Sequence, residues 1–122
     1  MARKRSSDFC IIIYLLHATA SPLADWNVTV VSKTATSIGI SWSSPIILLN
    51  GGIRFYVALA RKTNSSSEPI GEIMAQNVTA SEIKDLEGFR EYKVAVVAVN
   101  GDGTPFKSAE VLVTTDEGGE KF

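Results

Sequence analysis

Apolar and polar positions alternate along much of this chain, and the clearest alternation lies in residues 86–100. The residues that recur there at every second position are Tyr92, Val94, Val96 and Ala98. A period of two places their side chains on one face of a strand, and valine and tyrosine both favour strands. The Asn100-Gly101-Asp102-Gly103 run that follows is typical of a turn, so we expect the strand to end there.

Six further segments have the apolar pattern of short strands, and turn-forming residues separate them. They are residues 26–32, 38–42, 53–60, 72–75, 78–84 and 108–115. The side chains expected to face inward include Val28, Val30, Ile38, Ile40, Trp42, Phe55, Val57, Leu59, Ile83, Val111 and Val113. Seven short strands with no heptad repeat predict an all-β fold, a seven-stranded two-sheet Greek-key sandwich.

Three features of the sequence point to a family. Leu86 lies six residues before Tyr92, which is the spacing of the tyrosine corner in immunoglobulin-like sandwiches. Trp42 is followed by Pro45, and the Tyr92 strand closes on Ala-Val-Asn-Gly at residues 98–101. Through these features residues 22–115 resemble a fibronectin type III domain, although Gly88 stands where that family usually has proline.

The resemblance implies which residues build the core and how the corner is held. The expected core residues are Trp42, Phe55, Leu86, Tyr92, Val94 and Val96. The Tyr92 ring should pack on this core while its hydroxyl bonds to nearby backbone, and Gly88 should loosen the corner. Fibronectin type III domains usually lack the disulfide of immunoglobulin domains, which agrees with a chain that has one cysteine.

The first twenty residues differ in character from the rest. Arg3, Lys4 and Arg5 precede the apolar run FCIIIYLL at residues 9–16, and Ala18-Thr19-Ala20 follows it. This order predicts a secretory signal peptide at residues 1–20, cleaved after Ala20, because the run is shorter than the roughly 20 residues that span a bilayer. The alternatives are a buried strand or a wrongly assigned start. Residues 21–115 then form the domain, and residues 116–122 form an acidic linker or tail.

Removing residues 1–20 would leave little chemistry for catalysis. Cys10 and His17, the only cysteine and histidine, both lie in that segment. Without them the chain lacks the usual catalytic base, the best nucleophile and the main zinc ligands, so we expect no enzyme activity, no metal and no cofactor. The carboxylates of Glu82, Asp85, Glu87 and Glu91 are expected to be solvated and unshifted. A formal net charge of −1 argues against nucleic acid as a partner.

Three sequons are candidate N-glycosylation sites in a secreted chain. They begin at Asn27, Asn64 and Asn77. Asn64 is the best candidate because it lies in a serine-rich loop. Asn27 is usable only if its side chain points outward from its strand.

Two loops, the first at residues 43–52 and the second at residues 100–106, are candidates for binding a partner, because in the resembled fold they lie at the same end of the sandwich. The residues proposed for this role are Ile46, Ile47, Leu48, Leu49, Asp102 and Phe106. Consecutive exposed aliphatic residues can mark a contact surface. Alternatively, some of them fold over the end of the sandwich and complete its core. In some relatives this second loop carries an integrin-binding Arg-Gly-Asp, but Asn100 replaces the arginine here, so we do not expect integrin binding.

The resemblance implies a non-catalytic extracellular module that binds a protein or mediates adhesion. The alternatives are a passive spacer in a multidomain receptor or matrix protein, and an accessory domain of a secreted enzyme. The expected location is secreted or on the outer side of the cell surface, with no membrane span in this chain. The acidic tail resembles a linker, so the chain is either secreted alone or a truncated product with further domains beyond Phe122.

Overall fold

The computed structural model of the chain describes residues 20–23, 26–45, 52–63 and 70–117. Within these ranges the chain forms nine strands and no helix. The strands are β1 (Ser21–Pro22), β2 (Val28–Lys33), β3 (Ile38–Trp42), β4 (Ile53–Lys62), β5 (Ile70–Ala75), β6 (Ala80–Ile83), β7 (Glu91–Asn100), β8 (Pro105–Lys107) and β9 (Val111–Thr114).

The strands form two sheets. The larger sheet has the order β1-β8-β7-β4-β5, with β9 also pairing with β7, and the smaller has the order β2-β3-β6. All pairs are antiparallel except β1 with β8. The expected all-β two-sheet sandwich is confirmed, but the count of seven strands was wrong among the described residues. The additional strands, β1 and β8, are only two and three residues long, which is too short for an alternating pattern to be recognised.

A single apolar core fills the space between the two sheets. Its largest members are aromatic: Trp42 and Tyr56 meet edge to face with ring centroids 5.4 Å apart, and Trp26 lies 6.3 Å from Tyr56. The remaining buried members are Val28, Ile38, Ile40, Ala58, Ala60, Ile83, Leu86, Tyr92, Val94, Val96, Ala98 and Val113. The expected alternation of β7 is therefore present, with Tyr92, Val94, Val96 and Ala98 on the inner face.

The prediction that Phe55, Val57 and Leu59 of the third predicted strand point into the core was wrong. Tyr56, Ala58 and Ala60 of β4 point between the sheets, while Phe55, Val57 and Leu59 lie on the opposite face of the larger sheet. Phe55 is consequently half-buried and is not part of the central core. Residues 55–60 are apolar at every position, so alternation cannot choose between the two faces. Pairing with β7 makes the choice, since Tyr56 lies opposite Ala98, an inward-facing residue.

The tyrosine corner forms despite Gly88. The Tyr92 hydroxyl accepts a hydrogen bond of 2.8 Å from the Glu87 backbone N–H, as the resemblance implied. Thr115 ties the two sides of the corner together, because its hydroxyl donates to the Glu87 carbonyl at 2.6 Å and accepts from the Arg90 N–H at 3.1 Å. These bonds hold residues 87–90 against the end of β9 where the family usually has a proline.

Candidate binding surfaces

The two loops proposed for partner binding meet at one end of the sandwich. The Gly101 N–H, just after β7, donates a hydrogen bond of 2.9 Å to the Gly52 carbonyl, just before β4. Ile53 and Asn100 are paired across the same strand ends. Gly52, the described end of the first loop, therefore lies beside the start of the second loop. Ile46, Ile47, Leu48 and Leu49 lie outside the described residues. We call this end, comprising residues 52 and 101–104, the loop pole.

Asn100 builds the turn at the loop pole. Its side chain is buried, and its Oδ1 accepts hydrogen bonds from the Asp102 N–H at 3.0 Å and the Thr104 N–H at 2.8 Å. The Asn100 carbonyl also accepts from the Gly103 N–H at 2.9 Å, and Gly103 has φ of 87°, a conformation that glycine adopts without strain. The sequence predicted a turn at residues 100–103, where β7 ends, and the structure has one. The role of the Asn100 side chain as the acceptor that builds this turn was not predicted.

The turn leaves the Asp102 side chain exposed to solvent. Phe106 has a different setting, because it lies within β8, is half-buried and pairs with Ala98. Of the two candidate residues that the structure describes, Asp102 is therefore the one displayed at the loop pole. Its carboxylate offers a charged group on a backbone fixed by several hydrogen bonds.

The described sequon asparagines lie on the surface. Asn27 is exposed immediately before β2, and Asn77 is exposed in the turn between β5 and β6. Asn64 lies outside the described residues. Exposed amides at these two positions are sterically open to a glycan.

A small ionic cluster lies at the end of the sandwich opposite the loop pole. Glu87 accepts from Lys62 Nζ at 2.7 Å and lies 3.3 Å from Arg90 Nε. The hydrogen bond and charge of Lys62, with a smaller contribution from Arg90, lower the pKa of Glu87 below its ordinary value. The expectation of unshifted carboxylates was thus wrong for Glu87. A lowered pKa is the opposite of what a general acid requires.

The outer face of the larger sheet carries a second apolar cluster that sequence reasoning missed. This outer-face cluster consists of Val57, Leu59, Ala95, Val97 and Val99, none of them more than 3% exposed. Ala20 and Phe55 pack against it. The sequence feature that indicates this cluster is the uninterrupted apolar run at residues 94–99. In a strand that is buried on both faces, apolar and polar residues no longer alternate.

Other kinds of site find little support in the part of the chain that the structure describes. No group of three or more His, Cys, Asp or Glu side chains there is arranged to hold a metal ion. Nor do those residues include a helix of the length and apolar character needed to cross a bilayer.

Sequence comparison with known proteins identifies the same kind of domain. The sequence profile of the fibronectin type III domain matches residues 21–114. The chain is 38% identical over 95 residues to the MAM and fibronectin type III domain-containing protein 1 of Acropora millepora, covering 78% of this chain and 22% of that protein. It is 35% identical over 85 residues to human contactin-4, covering 69% of this chain and 8% of that protein. The chain thus spans less than a quarter of either relative.

Solved structures support the same assignment of the fold. The FN5 domain of Drosophila Lar superposes with a TM-score of 0.60 at 24% identity, covering 81% of this chain and 99% of that domain. The similarity at this identity is one of fold. Together with the profile match over residues 21–114, it shows that the chain belongs to the fibronectin type III domain family.

Proposed function

We propose that this chain is a non-catalytic extracellular module that binds a protein partner through its loop pole. The observation that carries the proposal is the turn built on Asn100, which holds the exposed Asp102 on a backbone fixed by hydrogen bonds. Preorganisation of this kind lowers the entropy lost when a partner binds. The carboxylate suits a partner that presents a lysine, an arginine or backbone N–H groups.

The N-terminal segment supports an extracellular location. A basic start, an apolar run and small residues ending at Ala20 have the order of a secretory signal peptide, and the family profile begins at residue 21. We therefore propose cleavage after Ala20, residues 21–115 as the domain and residues 116–122 as a linker or tail. Exposed Asn27 and Asn77 are then candidate glycan acceptors, and Asn64 stays a candidate on its sequence alone.

The residue inventory supports a binding role over a catalytic one. After cleavage the chain would hold neither histidine nor cysteine, and Lys62 lowers the pKa of the Glu87 carboxyl, which does not suit a general acid. Fibronectin type III domains are typically non-catalytic modules, and this chain covers only a small part of its multidomain relatives.

The test is a binding screen of the secreted, glycosylated chain against extracellular proteins, with three variants alongside. Asp102→Asn removes the charge at the loop pole, and Ile47→Ser with Leu49→Ser removes two aliphatic side chains from the sequence shortly before Gly52. Asp116→Asn is the matched control, because it makes the same charge change after β9, at the opposite end. Circular dichroism and thermal melting first establish that each variant folds.

A partner lost on Asp102→Asn or on the serine variant, and retained on Asp116→Asn, supports recognition at the loop pole. A partner that all variants retain places recognition elsewhere on the domain. No partner for the unaltered chain favours the alternatives, a passive spacer or an accessory domain of a larger secreted protein.

A further inference from the structure

The sequon at Asn77 lies at the same end of the sandwich as the loop pole. Phe55 of β4 pairs with Ala75 of β5 on one side and with Val99 of β7 on the other. These paired residues form one row across the larger sheet. Asn77 lies two residues beyond Ala75, in the turn after β5. Gly101 lies two residues beyond Val99, so both turns extend past the row in the same direction.

Two backbone hydrogen bonds fix the turn that carries Asn77. The Val78 N–H donates to the Ala75 carbonyl at 3.0 Å, which closes the turn. The Thr79 carbonyl accepts from the Trp42 N–H at 2.9 Å and so joins the sequon to the end of β3. Asn77 and Thr79, the residues that define the sequon, are both exposed. An N-glycan on Asn77 would therefore project into solvent from a fixed position.

The distance between Asn77 and the loop pole is short compared with the width of a protein interface. β5 and β7 are two strand spacings apart, so Asn77 lies about 10 Å from the end of β7 and the turn that carries Asp102. A stable interface buries about 800 Å² on each partner, which corresponds to a disc with a radius of about 16 Å. A partner of that size centred on Asp102 would overlap a glycan on Asn77.

Asn27, the other sequon asparagine that the structure describes, lies farther from the loop pole. The carbonyl of the preceding residue, Trp26, accepts from the Ala109 N–H at 2.8 Å, and the N–H before that one donates to the Val96 carbonyl. Val96 comes four residues before Asn100, so Asn27 lies about 14 Å from the loop pole along the strands. A glycan there would project from the side of the sandwich and not from its end.

We propose that Asn77 carries an N-glycan that shields the β5 side of the loop pole, so that large partners reach Asp102 only from the β8 side. In the order β1-β8-β7-β4-β5, Asn77 follows β5 and Asp102 lies in the turn between β7 and β8. The glycan therefore stands on one side of that turn. Its effect on binding rests on the proposed role of the loop pole, whereas the shielding itself does not.

The test measures access to the loop pole with a thiol probe, because the chain processed after Ala20 contains no cysteine. Asp102→Cys places one thiol in the exposed turn and keeps the backbone N–H that bonds to Asn100. The chain is secreted from mammalian cells, and mass spectrometry before and after glycosidase treatment gives the glycan occupancy of the Asn77 peptide. The thiol is labelled with N-ethylmaleimide and with a maleimide attached to serum albumin, and the ratio of the two rates is recorded.

The Asn77 peptide should carry a glycan, and two variants remove it. Asn77→Gln replaces the acceptor, and Thr79→Ala destroys the sequon while leaving Asn77 in place. Each should raise the albumin rate relative to the N-ethylmaleimide rate by about twofold or more, because shielding one side closes about half of the approach directions to a large reagent. Asn27→Gln is the matched control and should leave the ratio unchanged.

An Asn77 peptide without a glycan would overturn the proposal, and so would an unchanged ratio in either Asn77→Gln or Thr79→Ala. A ratio that rises equally on Asn27→Gln would also overturn it, because the shielding would then not depend on a position beside the loop pole. The labelling uses no binding partner, whereas the proposed binding role is tested by the screen. The two proposals can therefore fail separately.

Discussion

The hydrogen bond at the tyrosine corner can be tested by removing one oxygen atom. Tyr92→Phe keeps the buried ring and deletes the hydroxyl that accepts from the Glu87 N–H at 2.8 Å. Because this backbone donor lies in a partly buried turn, it loses its partner without gaining full access to water. Leaving such a donor unpaired costs about 1–2 kcal/mol. In a domain of this size the melting temperature should fall by about 5–10 °C.

Tyr56→Phe is the matched control. Tyr56 is also fully buried, but its hydroxyl lies 3.1 Å from the hydroxyl of Ser44, which is exposed and can bond to water instead. The expected loss is below about 1 kcal/mol. Melting of the two variants and the unaltered chain is followed by near-ultraviolet circular dichroism. If Tyr56→Phe lowers the melting temperature as much as Tyr92→Phe does, the hydrogen bond at the corner does not account for the loss of stability and the prediction is wrong.

Three further expectations concern other hydrogen bonds and charges. Thr115→Val removes the hydroxyl that joins the corner to the end of β9 and should cost about 1–3 kcal/mol in urea denaturation, so an unchanged midpoint would refute it. Asn100→Ala should speed hydrogen exchange of the Asp102 amide while leaving the amides in the interior of β7 protected. An unchanged exchange rate of the Asp102 amide would show that the turn does not need the Asn100 side chain. Lys62→Met should raise the pKa of Glu87 toward its ordinary value in an NMR titration, and a constant pKa would exclude Lys62 as its cause. Since that pKa is lowered in the folded chain, the attraction is fully present above the unfolded value and is lost as the pH falls through the folded one.

The sequence predicted the parts of the fold where local pattern and tertiary packing agree. In β7, Tyr92, Val94 and Val96 alternate and face the core, and the Leu86 spacing located the corner. Trp42 and Ile83 were placed inward for the same reason, and both are buried. Around Trp42 the strand alternates, so one face is clearly the more apolar. In β7, which is apolar on both faces over residues 94–99, the spacing from Leu86 to Tyr92 selects the inward face.

The sequence failed where both faces of a strand are apolar. Residues 55–60 would satisfy either orientation, and only pairing with β7 selects Tyr56 over Phe55. Pairing between residues some forty positions apart leaves no local signal. At Asn100 the turn was predicted, but the hydrogen bonds that its side chain accepts were not, since they depend on how the turn folds.

The size of a stable protein interface limits what the loop pole can bind by itself. A stable protein interface buries about 800 Å² on each partner, contributed by roughly 20–30 residues. The turn after Asn100 is too small to supply this area by itself. A partner that binds stably at the loop pole would therefore also have to contact neighbouring elements of the domain. The Ile47→Ser and Leu49→Ser variant tests whether the loop before Gly52 contributes to that contact, because losing the partner on this variant as well as on Asp102→Asn would show that both loops take part.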